Sequence, residues 1–134
     1  MTRIVLDTSA AVDLLLRNAM GAEVRERLLE GELHTVAHLD AEVFSALARL
    51  CRAGTLTADS VEARLRLLMT LEMVRLPITG ALLAEAWSYR ENVTARDALY
   101  VAAARRLHGR LLTTDRKLAR AVPDVAVDLP AVGE

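Results

Sequence analysis

The sequence predicts a three-layer α/β/α domain with a central parallel sheet of four to five strands. Short runs of leucine and β-branched residues alternate along the chain with longer stretches of helical hydrophobic periodicity. This alternation is typical of βαβ units, in which right-handed crossovers connect parallel strands. No linker or internal repeat divides the chain, and 53% of its 134 residues are hydrophobic, which is enough to fill one core. We therefore predict a single domain over residues 1–134.

Five short apolar runs are the predicted strands, and in chain order they are 4–6, 33–37, 73–76, 110–113 and 125–127. Between them, apolar residues recur at the spacing of one helix face. Two such stripes are formed by Val61, Leu65, Leu68 and Met69, and by Leu82, Leu83, Ala86 and Trp87. A further helix is apolar around most of its circumference from Ala98 to Ala104, so we predict that it is buried on several sides. Gly109 is the predicted stop of that helix.

Composition and charge exclude several kinds of protein. Basic and acidic residues number 17 and 18, so no overall positive field indicates a nucleic-acid partner, and any such partner must be held locally. Cys51 is the only cysteine, which excludes an intrachain disulfide and a thiolate metal cluster. No apolar run is long enough to span a membrane. We expect a cytoplasmic protein without a membrane partner.

Two of the predicted strands lead into an acid. In "IVLDTS" the first strand is followed by Asp7, and in "LLTTD" the fourth strand is followed by Asp115. In an open parallel sheet the usable crevice lies beyond the carboxyl ends of the strands, where the strand order reverses. If the first and fourth strands are neighbours at that point, the two carboxylates lie side by side.

Two further acids are candidates for the same crevice: Asp97, which opens the buried helix, and Glu42, in the first turns of another helix. Each of the four acids could instead favour the start of a helix, and a helix cap contributes about 1 kcal/mol. Two carboxylates about 4 Å apart repel by roughly 4 kcal/mol at an effective dielectric near 20, so capping alone does not explain gathering them. A shared site must either take up protons or hold a cation. Oxygen ligands alone favour Mg²⁺ or Mn²⁺.

Two alternatives stay open on these residues. Asp40 lies two positions before Glu42 and is the chief rival for its place. The chain could also be a non-catalytic α/β interaction module whose acids only cap helices. Ser9 and Thr113 are hydroxyl residues beside the acids. In a metal site they would orient ligands or water, whereas in an interaction module they would only cap helices or end strands. Convergence of the acids, which spacing alone does not establish, decides between the two.

Several motifs together resemble PIN-domain ribonucleases, and most of all the VapC toxins of bacterial type II toxin–antitoxin systems. They are "IVLDTSAAVDLL", the glutamate of "AEVFSALARL" and "TARDALYVAAARRLHGRLLTTDRKLA". The likeness spans nearly the whole chain. Its specific part is the segment 94–119, in which a D-A-L-Y-x-A-x-A helix leads into L-L-T-x-D.

This resemblance implies a metal-dependent endoribonuclease that hydrolyses RNA phosphodiester bonds. By the same likeness, the catalytic Mg²⁺ or Mn²⁺ site comprises Asp7, Glu42, Asp97 and Asp115. Ser9 and Thr113 are the supporting hydroxyls. Some family members carry a further acid shortly after the last of the four, where this sequence has Arg116 and Lys117. The family also implies a homodimer and a small cognate antitoxin of the VapB kind.

Overall fold

The computed structural model describes residues 2–132 and contains a four-stranded parallel sheet flanked by helices. The predicted α/β/α class is therefore confirmed. In chain order the elements are β1 (Thr2–Leu6), α1 (Thr8–Leu16), α2 (Ala19–Leu28), β2 (Gly31–Val36), α3 (Leu39–Arg52), α4 (Ala58–Thr70), β3 (Val74–Leu76), α5 (Gly80–Trp87), α6 (Ala95–Arg106), β4 (Arg110–Leu112) and α7 (Arg116–Ala121). Among the helices of this described part, none has the length and apolar composition needed to cross a membrane.

The strands lie in the order β3-β2-β1-β4, and every neighbouring pair is parallel. From β1 the chain builds outward through β2 to β3, and β4 then returns to the opposite side of β1. Leu6 is in register with Leu112, and the Asp7 N–H donates to the Leu112 carbonyl over 3.2 Å. The strand order thus reverses between β1 and β4, and their carboxyl ends adjoin as the crevice requires.

The predicted fifth strand at 125–127 is reduced to a single parallel bridge between Leu111 and Ala126. The Leu111 N–H donates to the Val125 carbonyl over 2.9 Å, and the Val127 N–H donates to the Leu111 carbonyl over 2.8 Å. Strand β4 has only three residues, so it is too short to form a longer run of hydrogen bonds with the segment 125–127. The sheet therefore has four strands, at the lower end of the prediction.

Helix α6 is buried on most of its circumference, as predicted. Its buried residues are Ala98 and the five residues from Tyr100 to Ala104. Alanine loses no side-chain rotamers on burial, and α6 packs against β1, β2 and β4. Gly109 follows the helix at a close approach to β1, since a Cβ there would lie 2.4 Å from the Arg3 carbonyl oxygen. This contact explains the glycine at the α6–β4 connection.

The two predicted helix stripes face the core only in part. On α4 Leu68 is buried whereas Met69 is 61% exposed, and on α5 Leu82 is buried whereas Leu83 and Trp87 are 51% and 66% exposed. The reason is the position of these helices: α4 packs mainly on α1 and α3, and α5 packs mainly on α6. Each helix therefore covers a narrower stripe than a helix lying on the sheet, and apolar side chains remain at the surface.

Candidate active site

Asp7 lies between the end of β1 and the start of α1, and only 2% of it is exposed. Its Oδ1 atom caps α1 by accepting the Ala10 N–H over 3.0 Å, and it also accepts the Ser9 hydroxyl over 2.8 Å. Burial raises the pKa of Asp7 to about 6; hydrogen bonds from Thr113, the Ala10 N–H and Ser9 oppose the rise, and the charge of Asp97 adds to it. Ionisation of Asp7 is therefore less favourable in the folded chain than in the unfolded chain, and a positive charge nearby would offset this difference.

Hydroxyl groups tie the loop after β4 to the start of α1. Thr113 is buried, and its Oγ1 atom lies 3.1 Å from the Ser9 Oγ and accepts the Asp115 N–H over 3.1 Å. The Ser9 Oγ also accepts the Thr114 N–H over 3.1 Å. The two predicted supporting hydroxyls thus connect the loop that carries Asp115 to the residues that hold Asp7.

Asp115 is exposed and caps α7. Its Oδ1 atom accepts the N–H groups of Lys117 and Leu118 over 3.0 and 3.2 Å. No hydrogen bond within residues 2–132 uses its Oδ2 atom. The carboxylate therefore serves the helix with one oxygen and leaves the other for the crevice.

Asp97 lies in the first turn of α6 and is half-buried. The helix is capped by Thr94, whose hydroxyl accepts the Asp97 N–H over 3.4 Å. Burial raises the pKa of the Asp97 carboxyl; the Thr94 hydroxyl and Arg96 lower it, whereas the charges of Asp115 and Glu42 raise it. The cap of α6 therefore uses the Asp97 backbone, and the carboxylate interacts with the other acids.

Glu42 extends from the first turn of α3, and 13% of its side chain is exposed. Its Oε1 atom accepts the Thr8 hydroxyl over 2.6 Å and the Tyr100 hydroxyl over 2.7 Å. The His38 Nε2 lies 3.5 Å from the same oxygen, and the Arg96 Nε lies 3.5 Å from Oε2. One carboxylate oxygen is thus held by two hydroxyl donors, and the other faces a basic side chain.

The four predicted acids act on one another through space, with Asp97 at the centre. Its charge raises the pKa of Asp7, and the charges of Asp115 and Glu42 raise its own. No three histidine, cysteine or acidic side chains in residues 2–132 lie close enough to form a ready-made ligand set. Hydrogen bonds anchor one oxygen of Asp7, Asp115 and Glu42, and like charges repel. Asp97 is therefore within electrostatic range of the other three acids, although the four do not close around one point.

The donor atoms of this crevice fit a hard divalent cation. They are carboxylate and hydroxyl oxygens, the ligands that Mg²⁺ and Mn²⁺ prefer. Asp7 supplies the clearest sign, because it is a buried carboxylate that forms no ion pair with a basic residue in the described range 2–132. Buried charges are ordinarily paired or bound to a metal.

A cleft of about 390 Å³ opens beside Asp97 and Asp115. Two cationic side chains, Arg90 and Lys117, line it together with Glu91, Asn92, Val93, Thr94, Leu118 and Ala121. Arginine and lysine suit an anionic ligand, whereas the neighbouring carboxylates of Asp97 and Asp115 repel one. An anion can therefore approach the acid end of the cleft only when the carboxylate charge is neutralised.

Comparison with known proteins decides the family. A PIN domain profile matches residues 4–122, a range that includes the four acids and both supporting hydroxyls. This chain belongs to the PIN-domain family. It is 47% identical over 126 residues to Ribonuclease VapC3 of Mycobacterium tuberculosis, a match that covers 90% of this chain and 88% of that relative. The resemblance to VapC proteins that the motifs indicate is thereby confirmed.

Solved structures share the fold of this PIN domain. VapC20 of Mycobacterium tuberculosis, a toxin that cleaves the sarcin-ricin loop, matches with a TM-score of 0.69 at 18% identity, over 95% of this chain and 99% of that one. A toxin–antitoxin complex from Klebsiella pneumoniae contains a chain that matches with a TM-score of 0.61 at 15% identity, over 92% of this chain and 96% of that one. At these identities the structural likeness establishes the fold.

Asp40, the rival of Glu42, is paired with a basic residue in this PIN domain. The Arg75 side chain, on β3, donates to both Asp40 carboxylate oxygens over 2.7 and 3.0 Å. A carboxylate in such a two-bond ion pair is already neutralised, whereas the charge of Glu42 acts on Asp97. The geometry therefore groups Glu42, and not Asp40, with the other acids.

Two residues beside Glu42 are not predicted from the sequence. Tyr100 lies in a run that reads only as buried helix, yet it follows Asp97 by three positions and so shares its helix face. His38 precedes Glu42 by four positions, and its ring stacks on the Tyr100 ring with centroids 4.7 Å apart. The sequence does contain one signal for these two residues: each lies about one helical turn from a predicted site acid.

Proposed function

We propose that this PIN domain is a Mg²⁺- or Mn²⁺-dependent endoribonuclease and the toxin of a type II toxin–antitoxin pair. The main support is the interaction of Asp97 with Asp7, Asp115 and Glu42, in a chain of the same family as Ribonuclease VapC3. The proposed catalytic and metal-binding acids are Asp7, Glu42, Asp97 and Asp115. Ser9 and Thr113 are proposed to orient Asp7 and the loop after β4.

The acids would hold the cation through the oxygens that helix capping leaves unused. The chemistry supplied with the cation is activation of a water molecule and neutralisation of phosphate charge. The chain itself supplies a buried Asp7, fixed in orientation by the Ser9 hydroxyl and the Ala10 N–H. It also supplies the half-buried Asp97, whose carboxylate would orient or deprotonate the attacking water.

Basic residues next to the acids would hold the RNA backbone. Arg90 and Lys117 line the cleft that opens at Asp97 and Asp115, and Arg96, 74% exposed, lies beside Glu42. Contacts to phosphate position a nucleic acid without reading its sequence. Because the chain carries 17 basic and 18 acidic residues, this local group has to provide the attraction.

Two protein partners belong to the proposal: a small VapB-like antitoxin and a second copy of this chain. The support is the fold shared with a chain of the Klebsiella pneumoniae toxin–antitoxin complex, together with large apolar side chains at the surface. The most exposed of these on the helices are Phe44, Met69, Leu83 and Trp87. Leu83 and Trp87 lie one turn apart on α5, and adjoining exposed apolar residues commonly mark protein interfaces. A single domain over residues 1–134 and a cytoplasmic location stay predictions.

One observation favours a second candidate, a non-catalytic interaction module. Asp7 and Asp115 do cap α1 and α7, as that alternative expects. Glu42 caps no helix, because α3 has no side-chain cap; α6 is capped by the Thr94 hydroxyl, with which the Asp97 carboxylate also interacts. The nuclease proposal accounts for all four acids.

Incubation of the full chain with a panel of structured RNAs and Mn²⁺ tests the proposal. Cleavage that EDTA stops and that Asp97→Asn abolishes would support it. Asp59→Asn is the matched control, because Asp59 is exposed on α4 and should leave cleavage unchanged. Cleavage that continues in EDTA, or full activity in Asp97→Asn, would refute the metal-dependent assignment.

A further inference from the structure

We infer that Tyr100 and Thr8 are positioning residues whose hydroxyls fix the Glu42 carboxylate, so that its Oε2 atom is the oxygen presented to a divalent cation. The inference rests on the proposed metal-dependent function and deepens it. It gives a role to a buried tyrosine that lies in the hydrophobic helix α6 and has no need of its hydroxyl for packing.

The Glu42 Oε1 atom forms a triangle of hydrogen-bonding oxygens with the hydroxyls of Thr8 and Tyr100. The Thr8 Oγ1 lies 2.6 Å and the Tyr100 hydroxyl 2.7 Å from Glu42 Oε1, and the two hydroxyl oxygens lie 2.9 Å apart. An ionised carboxylate only accepts, and each hydroxyl has one proton. Because only one proton can lie between the two hydroxyl oxygens, the other hydroxyl is left to donate to Oε1. Both hydroxyls lie within donating distance of this oxygen.

The triangle connects helices α1, α3 and α6, close to three of the four acids. Thr8 directly follows Asp7 and starts α1, Glu42 belongs to α3, and Tyr100 follows Asp97 by three positions on α6. Tyr100 is 1% exposed, so its ring is fixed by the core. The two hydroxyls thus set the position of the Glu42 carboxylate relative to Asp7 and to Asp97.

The second oxygen of Glu42 is held less firmly. Its neighbour is the Arg96 Nε at 3.5 Å, and the Arg96 side chain is 74% exposed. The separation is long for an ion pair and the arginine lies mostly in solvent, which weakens the interaction, so the arginine can move away from Oε2. Oε1 is thereby committed to the hydroxyls, and Oε2 is the oxygen that can exchange a basic side chain for a metal ion.

Calorimetric titration of Mn²⁺ into the full chain tests this role without relying on activity. Tyr100→Phe keeps the ring in the core and removes one donor from Glu42, and we expect it to weaken Mn²⁺ binding roughly tenfold, as loss of an outer partner of a metal ligand does. Tyr89→Phe is the matched control, because the Tyr89 hydroxyl donates to Glu85 Oε2 over 2.8 Å, and Glu85 is not one of the four acids. We expect its Mn²⁺ affinity to equal that of the wild type.

A double-mutant cycle separates a role through Glu42 from a general structural one. In the Glu42→Gln background, Tyr100→Phe should weaken Mn²⁺ binding no further. An unchanged affinity in Tyr100→Phe, or the same tenfold loss in both backgrounds, would overturn the inference while leaving the metal site in place. If Tyr100→Phe fails to fold, Thr8→Val applies the same test at the other hydroxyl. Absence of Mn²⁺ binding by the wild type would overturn the metal site itself, and this role with it.

Discussion

Replacing Asp7 with asparagine isolates the free energy of burying a carboxylate at the site. Asparagine caps a helix about as well as aspartate, so the start of α1 should be preserved. The pKa of Asp7 is about 6 in the folded chain, against an ordinary 3.8. At a pH well above 6, this difference corresponds to about 3 kcal/mol by which the ionised carboxylate lowers the free energy of unfolding.

The sign of the pH dependence follows from which state binds the proton more tightly. Because the folded-state pKa is raised, the folded chain holds the Asp7 proton through the range in which the unfolded chain has lost it. The free energy of unfolding of the metal-free wild type should therefore fall between about pH 3.8 and pH 6 on account of this group, and then level off. Asp7→Asn lacks the titrating group, so its stability relative to the wild type should rise with pH by up to about 3 kcal/mol.

Urea denaturation in EDTA at pH 4, 6 and 8 measures this difference. The exposed variant Asp59→Asn is the control and should follow the wild type at every pH. Added Mn²⁺ should then stabilise the wild type and not Asp7→Asn, because a ligand stabilises only the state that binds it. Parallel pH curves for the wild type and Asp7→Asn would refute the argument that burial of this carboxylate is unfavourable.

Three further predictions concern the site and the chain around it. Glu42→Gln should reduce Mn²⁺-dependent RNA cleavage at least about tenfold, whereas Asp40→Asn should retain it because Asp40 is already paired; the opposite order in an initial-rate assay would exchange their roles. Asp97→Asn should abolish cleavage and keep the circular dichroism of the wild type, since the cap of α6 uses the Asp97 backbone; loss of the fold would contradict this. Gly109→Ala should lower the free energy of unfolding by about 1–3 kcal/mol, because its Cβ would meet a backbone carbonyl oxygen at 2.4 Å. Gly80→Ala, with nothing within 4 Å of its Cβ, should be neutral or slightly stabilising in the same urea denaturation, and equal losses in both would count against the steric reason.

The sequence predicts the frame of the site better than its details. Apolar runs that end in acids locate Asp7 and Asp115, and the switch-point rule brings the two together because β1 and β4 are neighbours. The choice between Glu42 and Asp40 could not be made in this way, because it depends on Arg75, which reaches Asp40 from a strand 35 residues away. Such a partner is determined by tertiary packing, which local spacing does not encode.

The same limit applies to burial. A helical stripe predicts the side of a helix on which the apolar side chains lie, but it does not state how much of that side meets the core. Only the position of α5 against α6 decides that Leu82 is buried and that Leu83 is 51% exposed. Tyr100 shows the reverse case, since its hydroxyl gains a polar role from residues on two other helices.

The single bridge at Ala126 limits how another polypeptide can associate with the sheet. At the β4 edge, both main-chain groups of Leu111 that face outward are taken by Val125 and Val127. At the opposite edge, β3 has three residues and is followed directly by Pro77, which has no N–H to donate. Neither margin suits β-augmentation by an incoming strand, so association has to rely on side-chain surfaces formed by the helices.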